Sequence, residues 1–193
     1  MREISPAHNL SSDEYLRKVP ETARRSAERI RTEKEAGLRP RPSTSLLDYS
    51  ELLSTGARAV LLDRVASLVD ENLFGRSEMC MQFAELLARA LRLRGLPARY
   101  VLGTAMYFSE GNEIFRWNHA WVRVGEEVID GNVDVLVENP LVPARVRVVP
   151  YWGPISQIPA DRRLRSDVGA TSPPDTDLDT VWWPELRASL QSS

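Results

Sequence analysis

The sequence predicts an α+β domain in which helices come first and a largely antiparallel sheet follows. Three observations carry that prediction. Apolar residues recur at helical spacing as far as Arg94, the period shortens to about two after Pro97, and 193 residues at 42% hydrophobic content suffice for one core. At this length folding buries roughly 70% of the surface of the unfolded chain, so no disulfide or metal staple is required.

The first element is a polar, helix-compatible stretch from Ser11 to Gly37. Ser11, Ser12 and Asp13 can cap it, Pro20 marks a break or a first helical turn, and Gly37 is a plausible stop. Its apolar residues, Ala23, Ala27 and Ile30, make only a thin stripe. Residues 1–42 therefore read as an exposed helical arm lying across the core, closed by the Arg-Pro-Arg-Pro run at 39–42. Leu46, Leu47, Leu52 and Leu53, followed by Val60, Leu61, Val65, Leu68 and Val69 up to Leu73, suggest two packed helices. The next helix is bounded by Ser77 as N-cap and Gly95 as stop, with no Gly or Pro between Met79 and Arg94. Counted from a Ser77 cap, Cys80 is the third helical residue. Ala84, Leu87 and Leu91 continue its face, so the thiol side looks toward the domain.

Strands are expected at Ala98–Phe108, Trp117–Val124 and from Glu127 to Asp130, with a turn at Ser109–Asn112. Further strands are expected in Val133–Val137 and Arg145–Val149. Residues 43–159 form the expected core. Beyond Pro159 the composition shifts to Arg, Asp, Ser and Pro, and 160–193 reads as an irregular tail with an amphipathic piece around Val181–Leu190, where Trp182 and Trp183 can dock.

Composition narrows the function. One Cys and two His, Cys80, His8 and His119, cannot furnish a four-ligand zinc site or an internal disulfide. There is no GxGxxG segment and no P-loop, so no metal or cofactor is expected. Basic residues number 25 against 27 acids and are intermixed with them, which disfavours nucleic-acid binding. No apolar run is long enough for a membrane span and the first ten residues lack a signal-peptide core, so the expected location is the cytoplasm.

A nucleophilic thiol reacts as the thiolate, which a helix N-terminus, an adjacent imidazolium and partial access to solvent all favour. Cys80 opens a helix, whose free N–H groups would also face an oxyanion on an attacked carbonyl. A lone Cys is more commonly a small core residue, and His119 is what shifts the balance. If Gly125 and Glu126 form a two-residue hairpin turn, Val124 pairs with Glu127 and His119 becomes a diagonal same-face neighbour of Asp130, about 7 Å away at the backbone. Asn132 and Asp134 would share that face. A carboxylate on one imidazole nitrogen leaves the other for the thiol, as a Cys-His-Asp triad requires.

These residues resemble a known family. Cys80 opens a helix that leads through Gly95-Leu96-Pro97-Ala98-Arg99 into the sheet, and His119-Ala120-Trp121 precedes the hairpin that ends at Asp130. Over roughly Leu61 to Val137 this is similar to the transglutaminase-like superfamily of papain-type fold. The resemblance implies a nucleophile helix packed on an antiparallel sheet, with Cys80 as nucleophile, His119 as general base and acid, and Asp130 orienting the imidazole. Family members often complete the oxyanion hole with a Trp upstream of the nucleophile or a Gln shortly before it. Every Trp here follows Cys80, and Asn72 and Gln82 are the nearest amide candidates. The short Phe108–Trp117 loop and the missing calcium-site acidic clusters are those of a small bacterial-type member.

The implied chemistry is acyl transfer or hydrolysis at an amide or thioester, the substrate being a peptide, an amide or an acyl group held on a carrier protein. Trp117, Trp121, Tyr151 and Trp152 are candidate pocket walls, although core packing suits at least two of the four. Arg99 reads as structural, and His8 as inert. A reading of a different class also stands: a module that keeps the fold without the chemistry and binds a peptide or carrier protein through its aromatic hairpin.

Overall fold

In the computed structural model the described residues are 21–72, 74–167, 169–170 and 173–191. The expected cap at Ser11–Asp13, Pro20 and His8 lie outside them. The chain runs α1 (Glu21–Glu35), β1 (Leu47–Asp48), α2 (Thr55–Val69), α3 (Cys80–Leu93), β2 (Ala98–Ser109), β3 (Asn112–Val124), β4 (Glu127–Asp130), β5 (Tyr151–Pro154), β6 (Arg162–Ser166) and α4 (Trp183–Gln191). The six strands form one sheet in the order β1-β5-β4-β3-β2-β6, antiparallel except between β1 and β5. This is the α+β architecture the sequence predicts.

The core is where the helical and strand patterns meet. Leu61, Leu62, Val65 and Val69 of α2 and Leu86, Leu87 and Leu91 of α3 are fully buried against Ala120, Val122, Ile129 and Trp152. Each such side chain contributes roughly 1.5–3 kcal/mol of hydrophobic stabilisation. The opposite side of the sheet carries two smaller clusters, one of Val101, Trp121, Val128 and Tyr151 and one built around Ala105, Tyr107 and Leu136.

Three local expectations are corrected. The Leu46–Leu53 stretch is not a helix: Leu47 and Asp48 pair with Tyr151 and Trp152 as a short edge strand, and the helix begins only at Thr55, capped by the Ser54 hydroxyl on Ala57 N–H. Arg58 holds the intervening loop, donating to Asp48 and to the carbonyls of Leu52 and Leu53. Residues 133–138 form a 3-10 turn rather than a strand, and 145–149 carry no regular structure. The chain after Pro159 is no loose tail. Arg162–Ser166 pairs with Gly103–Tyr107 as an edge strand, and Leu178 and Leu186 of the C-terminal helical segment are buried in the main core, with Trp182 and Trp183 packed beside them.

Helix α1 is likewise more than an exposed arm. Ala27 and Ile30 are buried, the Ser26 hydroxyl donates to the Glu138 carbonyl and Lys34 to that of Asn72. A buried charge cluster sits behind it. Arg39 bridges Glu33, Asp70 and Glu138, while Arg76, wholly buried, forms a two-pronged pair with Asp134 at 2.6 Å on each nitrogen. Among the described residues no helix is long and apolar enough to cross a membrane.

Candidate active site

Cys80 is the first residue of α3, not the third. Met79 occupies the N-cap position, and Ser77, the expected cap, instead donates its hydroxyl to the Phe74 carbonyl. The first intrahelical bond runs from Phe83 N–H to the Met79 carbonyl, so helix geometry leaves the N–H groups of Cys80 and Met81 at the open end. The thiol is half-buried and packs at the margin of the main core.

The hairpin has the register the sequence predicts: Val124 pairs with Glu127, Arg123 with Val128 and Val122 with Ile129. It delivers the imidazole and carboxylate to one another. His119 Nε2 lies 2.7 Å from Asp130 Oδ1, and both side chains are about 1% exposed. Two glycines make room here. A Cβ on Gly131 would collide with Leu62 and Phe83, so its absence lets the chain just after β4 approach α2 and α3. A Cβ on Gly103, the cross-strand partner of His119, would strike the Arg165 carbonyl and the Trp121 ring.

The second oxygen of Asp130 is held by a residue the sequence reading missed. Arg162 Nη1 donates to Asp130 Oδ2 at 2.9 Å, Nε to Asp161 at 2.8 Å and Nη2 to the Val149 carbonyl at 2.6 Å. Its guanidinium is fully buried. A segment as polar as Arg162-Arg163-Leu164-Arg165-Ser166 gives no strand signal, because a short edge strand buries only alternate side chains. Arg76 was missed too. Beyond its pair with Asp134, it exchanges hydrogen bonds with Asn132, whose amide donates to the Arg76 carbonyl at 2.8 Å. The loop leading to Cys80 is thereby tied to the chain just after Asp130. Asn132 and Asp134 thus serve that clamp and not the His119 face, since β4 ends at Asp130.

The electrostatics follow from this burial. Burial opposes a charged imidazole at His119, but Asp130, by charge and hydrogen bond, and then Cys80 outweigh it and push His119 up to about 10. Burial likewise opposes the carboxylate of Asp130, and is overcome by His119 and Arg162, which hold it below the usual range. His119 Nδ1 is buried without a hydrogen-bond partner among the described residues, and Cys80 is among the groups that favour the charged imidazole. The raised His119 stabilises the fold fully below about 6.5, its unfolded value, and that contribution is lost as pH rises through about 10. The lowered Asp130 contributes above about 3.9 and loses its contribution as pH falls through its folded value. The imidazole carbon-bound proton resonances of His119 should therefore stay those of an imidazolium at pH 8, and Asp130→Asn should bring their titration down. A wild-type midpoint near the ordinary value would contradict the buried pair.

The remaining sequence candidates divide. Trp121 is buried, its ring centroid 6.2 Å from that of His119. Tyr151 and Trp152 are wholly buried, the phenol donating to the Pro154 carbonyl and the indole to Glu127. These three are packing residues and not pocket walls. Trp117 alone of the four is partly exposed. The amides proposed as oxyanion donors are engaged elsewhere: Gln82 Nε2 donates to Asp175 at 3.1 Å, and Asn72 Nδ2 contacts Met79 Sδ at 3.3 Å.

The structure thus holds a half-buried thiol at a helix N-terminus and, on the sheet, a buried imidazole paired with a carboxylate. A family model described as the transglutaminase-like superfamily matches residues 21–127, more than half of the chain, and the protein belongs to that superfamily. The usual chemistry of the superfamily is cysteine-based acyl transfer or hydrolysis. The match includes Cys80 and His119 and ends before Asp130. No curated protein and no solved structure matches the chain.

Proposed function

We propose that the protein is a cysteine-dependent acyltransferase or hydrolase in which Cys80, His119 and Asp130 act as a triad. What supports this reading is the buried His119, held by Asp130 at 2.7 Å on Nε2, with its Nδ1 buried and unpartnered among the described residues and Cys80 among the groups that favour its charged form. The Cys80 thiolate attacks the carbonyl carbon of an amide or thioester, and the carbonyl oxygen becomes an oxyanion facing the N–H groups of the first turn of α3. The carbon–nitrogen or carbon–sulfur bond then breaks, and the imidazolium gives its proton to the departing amine or thiolate. Water or an amine attacks the acyl-Cys80 thioester, losing its proton to His119, and the thiolate is released. Asp130 keeps its charge throughout and maintains the tautomer. Trp117 is the aromatic best placed to meet the acyl or peptide part of a substrate, free or on a carrier protein.

Intact-mass measurement after incubation with unactivated peptides, simple amides and acyl-thioesters should reveal an acyl adduct that Cys80→Ala abolishes. Capture of the acyl group by hydroxylamine in preference to water would mark a transferase. No adduct with any donor, together with a thiol no more reactive than free cysteine, would favour the binding module.

A further inference from the structure

Among the polar side-chain atoms buried without a hydrogen-bond partner among the described residues are Tyr107 Oη and Trp117 Nε1. They belong to one arrangement. Across β2 and β3, Gly103 pairs with His119, Ala105 with Trp117 and Tyr107 with Phe115. Strand alternation puts Tyr107, Trp117 and His119 on one face, with Tyr107 and Trp117 as diagonal neighbours. Phe115 fixes both rings, stacking on Tyr107 with centroids 6.3 Å apart and tilting against Trp117 at 5.9 Å.

A buried hydroxyl with no partner is destabilising, so its retention calls for a reason other than stability. Its donor logic is directional. An indole N–H can only donate, whereas a phenol both accepts and donates. A Trp117 N–H turned onto the Tyr107 oxygen would leave the phenolic proton for another acceptor. Burial, followed by the nearby charges of Asp130 and Cys80, keeps that proton on the oxygen. Tyr107 pairs across the sheet with Arg162, whose guanidinium holds Asp130, so this neutral donor stands on the side of the triad. The amides of Asn72 and Gln82, the other side-chain candidates, are already committed.

We propose that the Tyr107 hydroxyl is the second oxyanion donor, supplementing the first-turn N–H groups of α3, and that Trp117 is the positioning residue that directs it. This rests on the cysteine-acyl reading above. Tyr107 donates a hydrogen bond and keeps its proton; no bond to it forms or breaks. The strand tyrosine would then occupy the role that an upstream Trp or Gln serves in many relatives.

Two reactions of the same thiol separate the possibilities. Acetylation of Cys80 by p-nitrophenyl acetate passes through a tetrahedral oxyanion and expels p-nitrophenolate. Alkylation by iodoacetamide displaces iodide at a saturated carbon and forms no oxyanion. Tyr107→Phe should slow acetylation by about 10²–10³-fold, the loss typical of one oxyanion-hole donor, while leaving the alkylation rate unchanged. Because the lost hydroxyl is unpaired, Tm should be unchanged or higher. Trp117→Phe should give a smaller loss of the same kind. Acetylation of Tyr107→Phe at the wild-type rate, equal slowing of both reactions, or a clear fall in Tm would each overturn the assignment. Failure of the underlying reading looks different: wild-type Cys80 would react no faster than free cysteine with either reagent.

Discussion

His119→Ala should reduce the alkylation of Cys80 by iodoacetamide at neutral pH to the rate of a free cysteine, and acyl-enzyme formation by about 10²–10⁴-fold. In the proposed mechanism the imidazolium both favours the thiolate and protonates the leaving group, so its loss would remove two contributions to one reaction. The side chain lies in a fully buried contact with Asp130, and Ala leaves that carboxylate paired with Arg162 alone. His119→Gln, which can still donate to Asp130, separates loss of fold from loss of chemistry. It should fold and still lack the excess thiol reactivity. Equal alkylation rates in wild type and in both variants would refute an activated pair.

The second large effect is expected at Arg162. Arg162→Met removes a wholly buried guanidinium that serves Asp130, Asp161 and the Val149 carbonyl at once. Breaking a buried ion pair from one side costs about 3–5 kcal/mol, because the remaining charge stays in a poorly solvating site. Urea unfolding should register that loss as a lower midpoint with little change in slope. Asp130→Asn combined with Arg162→Met should cost less than the two single changes added together, since the double variant leaves no unpaired carboxylate at 130. A single-variant loss below about 1 kcal/mol, typical of exposed pairs, would show that the interior contact contributes little.

The parts of the fold legible in the sequence are those in which one period governs a long run. Cys80–Leu93 buries Phe83, Ala84, Leu87 and Leu91 along one face, and Gly95 ends it with a positive φ of 80°. The hairpin register followed from the Gly125-Glu126 turn, and it put Asp130 on the face of His119, together with Asn132 and Asp134, the resemblance then pointing to Asp130. Short elements were not legible. Leu47–Asp48 is too brief to show any period, and its strand character comes from pairing with a segment a hundred residues away. Arg162–Ser166 is sheet because β2 offers it an edge, not because its side chains favour a strand. The N-terminal boundary of α3 was misplaced because Ser77 looks like a cap in sequence, but tertiary contacts of Arg76 fix the loop and leave Met79 at the cap position. Buried arginines escape pattern reading in general, since their burial depends on partners that only the folded chain assembles.

The place of Arg162 in the chain has a consequence in time. Synthesis runs from the N-terminus, and domains generally fold as units once their parts are available. The thiol, the imidazole and the carboxylate are all made before the cation that neutralises the far side of Asp130. Until β6 has left the ribosome, the growing chain cannot bury that carboxylate with both of its counter-charges. Closure of the site and addition of the last strand are thus one event, and a nascent chain ending before Arg162 would carry the reactive residues without the setting that makes them a pair.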